Sequence, residues 1–373
     1  MEKVNAFLKR KNIVLSAKRY GIDALGAMAQ GLFCSLLVGT IINTVGQQFH
    51  IPFLSQTIAT IGAGDKQIAY TVGGLASAMS GPAMAVAIGY ALHCPPLVLF
   101  SLATVGFSAN ALGGAGGPLA VLLIAIVAAE LGKAVSKETR IDILVTPLVT
   151  IFSGIIVSAL CAPAIGKAAS SVGQIIMWAT ELQPFLMGIV VSVIIGIALT
   201  LPISSAAICA ALSLTGLAGG AAVAGCCANM VGFAVLSFRE NRWGGLVSQG
   251  LGTSMLQMGN IVKNPRIWIP PTLASAITGP IATCLFRMEM NGDPINAGMG
   301  TCGLCGQIGL WTGWLSPSEQ ALAQGASAIT PTPFHWLGMV LVCFLLPAVL
   351  SWVFCAALRR MGWIKEGDLT LPR

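Results

Sequence analysis

Long apolar stretches separated by short polar segments dominate this chain. Most approach the roughly 20 residues that an α-helix needs to cross a bilayer. Ten such hydrophobic segments can be drawn, at 21–45, 67–91, 95–112, 117–135, 143–166, 184–201, 204–237, 267–286, 298–315 and 333–358. Segments of strict alternation, which build outer-membrane barrels, are too few. The pattern therefore predicts an all-α integral membrane protein.

Two of the ten segments differ from a simple membrane-spanning helix. The segment at 204–237 is too long for one span and is interrupted by Leu-Ala-Gly-Gly at 217–220. The segment at 298–315 is short and rich in Gly, Cys and Thr. Non-helical backbone at membrane depth is tolerated where it lines a cavity or lies within protein. We therefore predict eight full crossings and two re-entrant or broken helical hairpins.

The same pattern predicts the domain organisation. Residues 168–183 show apolar positions at helical spacing with Trp178 as an interfacial anchor, which is typical of an amphipathic helix at the membrane surface. The predicted parts are a basic N-terminal segment at 1–20, an N-terminal membrane bundle at 21–166, an interfacial helix at 167–183, a second membrane part at 184–358 and a tail at 359–373.

Composition and charge agree with a membrane protein and indicate its orientation. The chain is 55% hydrophobic and only 9% charged, against about 25% charged residues in soluble domains. The net charge is +7, but the basic residues cluster at segment ends, which argues against nucleic acid binding. With both termini cytoplasmic, only Lys66, Lys167 and Arg287 fall outside, as the positive-inside rule requires. A complete crossing by 204–237 would instead move the basic residues at 239–266 outside.

Cysteine, histidine and motif content give no sign of an enzyme or a metal site. Eleven cysteines are scattered through apolar stretches, and the C-x-x-C at Cys302 and Cys305 has no second pair at metal spacing. His50, His93 and His335 lie far apart in sequence. The P-loop and the usual hydrolase signatures are missing. We therefore predict no catalytic residue, no cofactor and no metal.

Polar residues accumulate beside the two broken segments, where a polar solute would need them. Free backbone N–H groups at half-helix starts, together with amide and hydroxyl side chains, suit a neutral polyhydroxylated solute. The candidate solute-binding residues are Ser204, Ser205, Asn229, Gln249, Thr253, Gln257, Glu289, Asp293, Asn296, Thr301 and Gln307. For the two acids, the alternative is an exposed external loop. Segments 249–256 and 297–304 share G-x-G-T-x-x-L, by internal similarity or by chance.

Five sequence segments carry a family resemblance over nearly the whole chain. They lie at 28–33, 199–207, 248–257, 263–271 and 298–301. With them the chain resembles the membrane-embedded IIC component of bacterial sugar phosphotransferase systems, and more narrowly its PfoR-like branch. The resemblance implies a glucose-superfamily IIC fold, a homodimer and a sugar site near the hairpin tips. It also implies that one part holds the dimer contact while the other carries substrate in an elevator-like motion.

The resemblance implies a function whose details stay open. A IIC-type permease in the bacterial cytoplasmic membrane would translocate a sugar or a sugar-like polar solute. The phosphoryl-carrying IIA and IIB domains do not occur in the sequence, so phosphorylation would require separate partner chains. The alternatives are a membrane sensor or regulator with a IIC fold, and a transporter that works without phosphorylation.

Overall fold

The computed structural model describes residues 2–62 and 67–371. Lys66 and Arg373, which the charge argument assigned to opposite sides of the membrane, lie outside the described residues. The chain divides into two compact units, residues 1–168 and residues 169–373. Apart from a short β-hairpin in the first unit, the described parts of both units are built from helices.

The first unit contains helices that range from four residues to a 39-residue helix running past the unit boundary. Its helices are α1 (Glu2–Arg10), α2 (Leu25–Leu32), α3 (Val38–Gln48), α4 (Pro52–Ser55), α5 (Val72–Ala78), α6 (Ser80–Ala91), α7 (Pro96–Gly113), α8 (Gly117–Val135) and α9 (Asp142–Thr180). π-Helical turns at Arg19–Ala24 and Phe33–Leu37 flank α2. Strands β1 (Ala59–Ile61) and β2 (Ile68–Tyr70) pair antiparallel, with Thr60 opposite Ala69.

Ionic contacts fix the N-terminal segment of the first unit. Arg10 and Lys11 both contact the Glu138 carboxylate, Arg10 at 2.7 Å. The hydrogen bond from Lys11 and the two positive charges lower the pKa of Glu138. Lys133 is almost fully buried and lies 2.8 Å from Glu130. A buried charge requires such a partner. Lys133 Nζ also donates to the Asn12 and Leu92 carbonyls at 3.1 and 3.3 Å, and these bonds connect α8 to the N-terminal segment and to the end of α6.

The second unit surrounds one buried helix. Its helices are α10 (Pro184–Thr200), α11 (Ser205–Ala211), α12 (Gly216–Leu236), α13 (Phe238–Val247), α14 (Met258–Lys263), α15 (Ile269–Pro280), α16 (Pro294–Ala297), α17 (Cys305–Leu315), α18 (Glu319–Ala323), α19 (Pro333–Val340) and α20 (Leu346–Arg360). Helix α12 is nearly covered by protein and packs against α10, α15 and α20. Small residues permit this approach, since a Cβ atom at Gly196 would lie 2.6 Å from the Gly225 carbonyl oxygen.

Several helical stretches of the described chain could cross a bilayer. Five are long and apolar enough: Arg19–Asn43, Pro96–Val135, Asp142–Thr180, Gly216–Leu236 and Pro333–Arg360. The bent pair α5 and α6, with 50° between its helices, makes a sixth. An all-α membrane protein is therefore confirmed. The finer prediction of ten segments with eight full crossings stays a prediction.

Residues 168–180 continue α9 without interruption. The sequence pattern predicts a separate interfacial helix at 167–183. The helix contains Pro147 and Pro163 and still runs for 39 residues, roughly 58 Å at 1.5 Å per residue. That length exceeds the hydrocarbon core of about 30 Å, so part of α9 extends beyond it if the helix spans the membrane.

Candidate functional site

Both segments that the sequence predicts as broken are interrupted in the structure. The first break, residues 212–215, joins α11 to α12, and Gly216 then adopts a left-handed φ of +61°. The second break, residues 298–304, joins α16 to α17 and contains Gly300 at φ +54° and Leu304 at φ +60°. Helix α17 has 11 residues, about 16 Å, and is too short to cross a bilayer.

The first break lies a few residues before the predicted interruption at 217–220. Those residues are helical and belong to α12. The glycines among them permit close packing instead of a chain reversal. A Cβ atom at Gly219 would lie 2.9 Å from both the Leu214 carbonyl oxygen and the Met290 Cβ. The turn itself is made by Ser213 and Gly216, which both have positive φ.

The two broken elements contact each other. Gly216 and Met290 exchange two backbone hydrogen bonds, of 3.0 and 2.9 Å, next to the first break. The Ser205 hydroxyl at the start of α11 donates to the Gly298 carbonyl at 2.8 Å, at the start of the second break. Residues predicted as candidates on both elements are thereby brought to one region of the second unit.

Asn229 lies at the centre of a buried polar network on α12. Its side chain is fully buried. Its Nδ2 donates to the Ser275 hydroxyl at 3.1 Å, and its Oδ1 accepts from Trp268 Nε1 at 3.2 Å. The Thr200 hydroxyl lies 3.4 Å from the same Oδ1 and 2.8 Å from the Ser254 hydroxyl. Asn229 is thus satisfied by protein groups in this state.

Gln249 and Gln257 belong to a chain of amide side chains, which continues to Asn260. Gln257 Nε2 donates to Gln249 Oε1 at 2.9 Å, and Asn260 Nδ2 donates to Gln257 Oε1 at 2.7 Å. We call these three residues the amide chain. All three are buried.

The amide chain binds the C-terminal tail of the protein. Gln257 Nε2 donates to the Leu369 carbonyl at 3.0 Å, and Asn260 Nδ2 donates to the Thr370 carbonyl at 2.9 Å. Asn241 contacts the same tail segment: its Nδ2 donates to the Leu369 carbonyl and its Oδ1 accepts from Leu371 N. The Leu369 side chain is fully buried. Donors that the sequence offered to a solute are therefore engaged by main-chain carbonyls.

Polar groups on the segments before and after the second break are only partly satisfied. Gln307 Nε2 lies 3.2 Å from Cys227 Sγ, while Gln307 Oε1 is buried without a hydrogen-bond partner in the described chain. Asn291 Nδ2 donates to Glu289 Oε2 at 3.2 Å, and Asn291 Oδ1 likewise has no partner there. Gln307 and Asn291 thus each present a buried, unused hydrogen-bond acceptor.

The segments that share G-x-G-T contact each other. The Thr301 hydroxyl at the second break donates to the Gly250 carbonyl, and Thr301 is fully buried. The second copy of the motif thus binds the backbone of the first.

The other predicted residues serve as helix caps or lie at the margin of the site. Ser204, Thr253 and Asp293 accept hydrogen bonds from backbone N–H groups at 3.2, 3.2 and 3.0 Å as N-caps. Such caps satisfy donors that a helix start leaves free. Asp293 is exposed, whereas Asn296 is half-buried beside Gly309.

Sequence reasoning missed several polar groups of this region. Thr200, Ser254 and Ser275 hold the network around Asn229, and Asn291 supplies an unused acceptor. Hydroxyl residues in apolar helices bond to their own backbone as readily as to a site, so type alone does not distinguish them. Within the described ranges, no group of three or more His, Cys, Asp and Glu side chains could hold a metal ion.

Apolar helices around a broken, amide-rich centre define the class of the chain as a helical membrane protein. The family model described as "Phosphotransferase system, EIIC" matches residues 22–371. The chain therefore belongs to the phosphotransferase system EIIC family and is a permease component of that type. No curated protein and no solved structure matches the chain. The resemblance to IIC proteins is confirmed, while the PfoR-like branch stays a prediction.

Proposed function

We propose that this permease translocates a sugar or another neutral polyhydroxylated solute, and that the solute binds at the second break. The observation that carries the proposal is the pair of buried, unpartnered carbonyl oxygens on Gln307 and Asn291. A buried acceptor without a donor costs about 1–3 kcal/mol. Hydroxyl groups of a solute would remove that cost without bringing in a net charge.

The broken backbone suits alternating access. A helix that ends within the membrane leaves backbone groups available to a solute, and a moving part can present them to either side. All the candidate residues and both breaks belong to the second unit. We propose that the part at 184–358 carries the solute in an elevator-like motion, while the N-terminal bundle forms a homodimer scaffold. Separate IIA and IIB chains would phosphorylate the solute.

Solute binding by purified protein in liposomes tests the site. We expect Gln307→Met, which removes the amide and keeps the volume, to weaken binding of the hexose or hexitol that wild type binds from a ¹⁴C-labelled panel. The expected loss is about tenfold for one or two hydrogen bonds. Thr312→Val on the same helix is the matched control, because the Thr312 hydroxyl bonds to the Ile308 carbonyl of its own turn. If Gln307→Met binds the solute as tightly as Thr312→Val and wild type do, Gln307 does not belong to the site.

Uptake by the same liposomes tests the transport step. Solute binding without flux, even with IIA- and IIB-type partners supplied, would favour a sensor over a permease.

A further inference from the structure

A groove of about 630 Å³ lies beside the ends of two membrane helices in the second unit. It is bordered by the last turn of α12, by α13 and by the last turns of α20. None of the predicted solute-binding residues lines it. Three arginines and three large aromatic side chains form its distinctive surface: Phe238, Arg239, Trp243, Trp352, Arg359 and Arg360.

The charge in this groove is mostly uncompensated. Arg359 Nη2 lies 2.7 Å from Glu240 Oε1, and both side chains are largely buried. Arg239 and Arg360 are exposed, and neither forms an ion pair within the described chain. Two guanidinium groups therefore remain available to an anion, and a guanidinium matches the oxygens of a phosphate in a bidentate manner.

The rest of the groove is apolar and open to the surroundings. Trp243 is 71% exposed and Trp352 is 61% exposed. The Phe238 ring meets the Trp243 ring edge to face, with the centroids 5.3 Å apart. Helix α12 and the continuous helical stretch Pro333–Arg360, which ends with α20, are both long and apolar enough to span a membrane, and the groove lies where they end. Tryptophan at such a position typically lies at the headgroup level of the bilayer.

We infer that this groove binds an anionic phospholipid. Arg239 and Arg360 contact the headgroup phosphate, and an acyl chain lies along Trp352 and the adjoining membrane surface of α20. Basic pockets between membrane helices bind lipid headgroups of this kind. A free phosphate would contact only the arginines and leave the aromatic side chains of the groove without an apolar partner. A phospholipid contacts the arginines through its phosphate and the aromatic side chains through its acyl chain.

Lipid titration followed by native mass spectrometry of the detergent-purified protein tests the inference, with dioleoylphosphatidylglycerol as probe and dioleoylphosphatidylcholine as reference. We expect a site selective for phosphatidylglycerol in wild type. Arg239→Gln with Arg360→Gln should weaken it about 30-fold, at about 1 kcal/mol for each arginine. Arg359 is not substituted, because its removal would leave the buried Glu240 carboxylate without its ion-pair partner.

The matched control is Arg242→Gln with Lys263→Gln. Both are exposed basic residues of the same unit outside the groove, and we expect wild-type selectivity. Equal losses in the two double variants would attribute the effect to general surface charge and overturn the inference. Arg239→Lys with Arg360→Lys keeps the charge but lacks the bidentate geometry, so it should restore part of the binding, which excludes misfolding. Inorganic phosphate that displaces bound phosphatidylglycerol as effectively as added phosphatidylglycerol does would also overturn the inference.

Discussion

Gly300 and Gly216 have nearly the same left-handed backbone and different surroundings. Gly300 has φ +54°, and a Cβ atom there would lie 2.6 Å from the Cys226 Cβ. Gly216 has φ +61°, and a Cβ atom there would meet nothing within 4 Å. The two positions therefore separate the cost of backbone strain from the cost of close packing.

Alanine substitution at both glycines tests this difference. Gly216→Ala should lower the free energy of unfolding by about 1–2 kcal/mol, because a left-handed φ is strained for any L-residue with a side chain. Gly300→Ala should cost a further 1–3 kcal/mol or so, because the added methyl group overpacks the contact with Cys226. Thermal unfolding in detergent measures both variants. The same transition temperature for the two would contradict tight packing at the second break.

Individual residues also show what the sequence could not predict. The accumulation of amide residues beside the broken helices can be recognised in the sequence, and it identifies Gln249 and Gln257 as candidate solute-binding residues. An amide donor, however, bonds equally well to a solute hydroxyl and to a main-chain carbonyl. The carbonyl partners of Gln257 and of its neighbour Asn260, at Leu369 and Thr370, lie more than 100 residues further along the chain. No local pattern records such a pairing.

At the scale of elements, the C-terminal tail behaves as part of the second unit. Its Ile364 and Leu369 side chains are buried, and the Trp363 ring stacks with Arg266 at 5.1 Å. Asn264 Nδ2 donates hydrogen bonds to the Trp363 carbonyl and to Asp368 Oδ2, at 3.0 and 2.8 Å. The described part of the tail predicted at 359–373 is thus packed against the second unit.

Removal of the tail's apolar anchor tests its attachment. Leu369→Ala should destabilise the docked tail by about 2–4 kcal/mol, since it empties a fully enclosed site. Hydrogen exchange of residues 364–371 should then accelerate while exchange in α12 changes little. Leu371→Ala, at a half-buried position of the same tail, is the control and should have a smaller effect. Unchanged exchange in the Leu369 variant would show that the amide hydrogen bonds alone hold the tail.

Sequence patterns located the broken elements better than their turns. Glycine content identified both the first and the second broken element. The position of the first turn was missed because Gly219 and Gly220 serve packing inside α12. The sequence does not show whether a glycine forms a turn or allows a neighbouring element to pack closely. Only the tertiary contacts distinguish the two roles.

At the scale of the whole molecule, the path of the chain through the membrane decides which side each loop occupies. Helix α12 is long enough to span, whereas the charge distribution favours a re-entrant path before the loops that carry Lys263. The orientation predicted with both termini inside can be measured directly.

Membrane-impermeant maleimide labelling, in a background without the native cysteines, measures it. Lys263→Cys should be labelled only from the cytoplasmic side, and Arg287→Cys only from the outside. Both side chains are exposed, so neither site is hidden by protein. Labelling of Cys at 263 from the outside would mean that the segment at 204–237 crosses completely.

The pairing of the amide chain with the tail also has a consequence for synthesis. Gln257 and Leu369 are 112 residues apart, and translation at about 5–20 residues per second separates their appearance by roughly 5–20 s. During that interval the amide groups of Gln257 and Asn260 are already made and lack their carbonyl partners at Leu369 and Thr370. The second unit therefore completes its polar centre only when the tail has left the ribosome, and truncation before Leu369 would leave a nascent membrane protein that quality-control proteases can recognise.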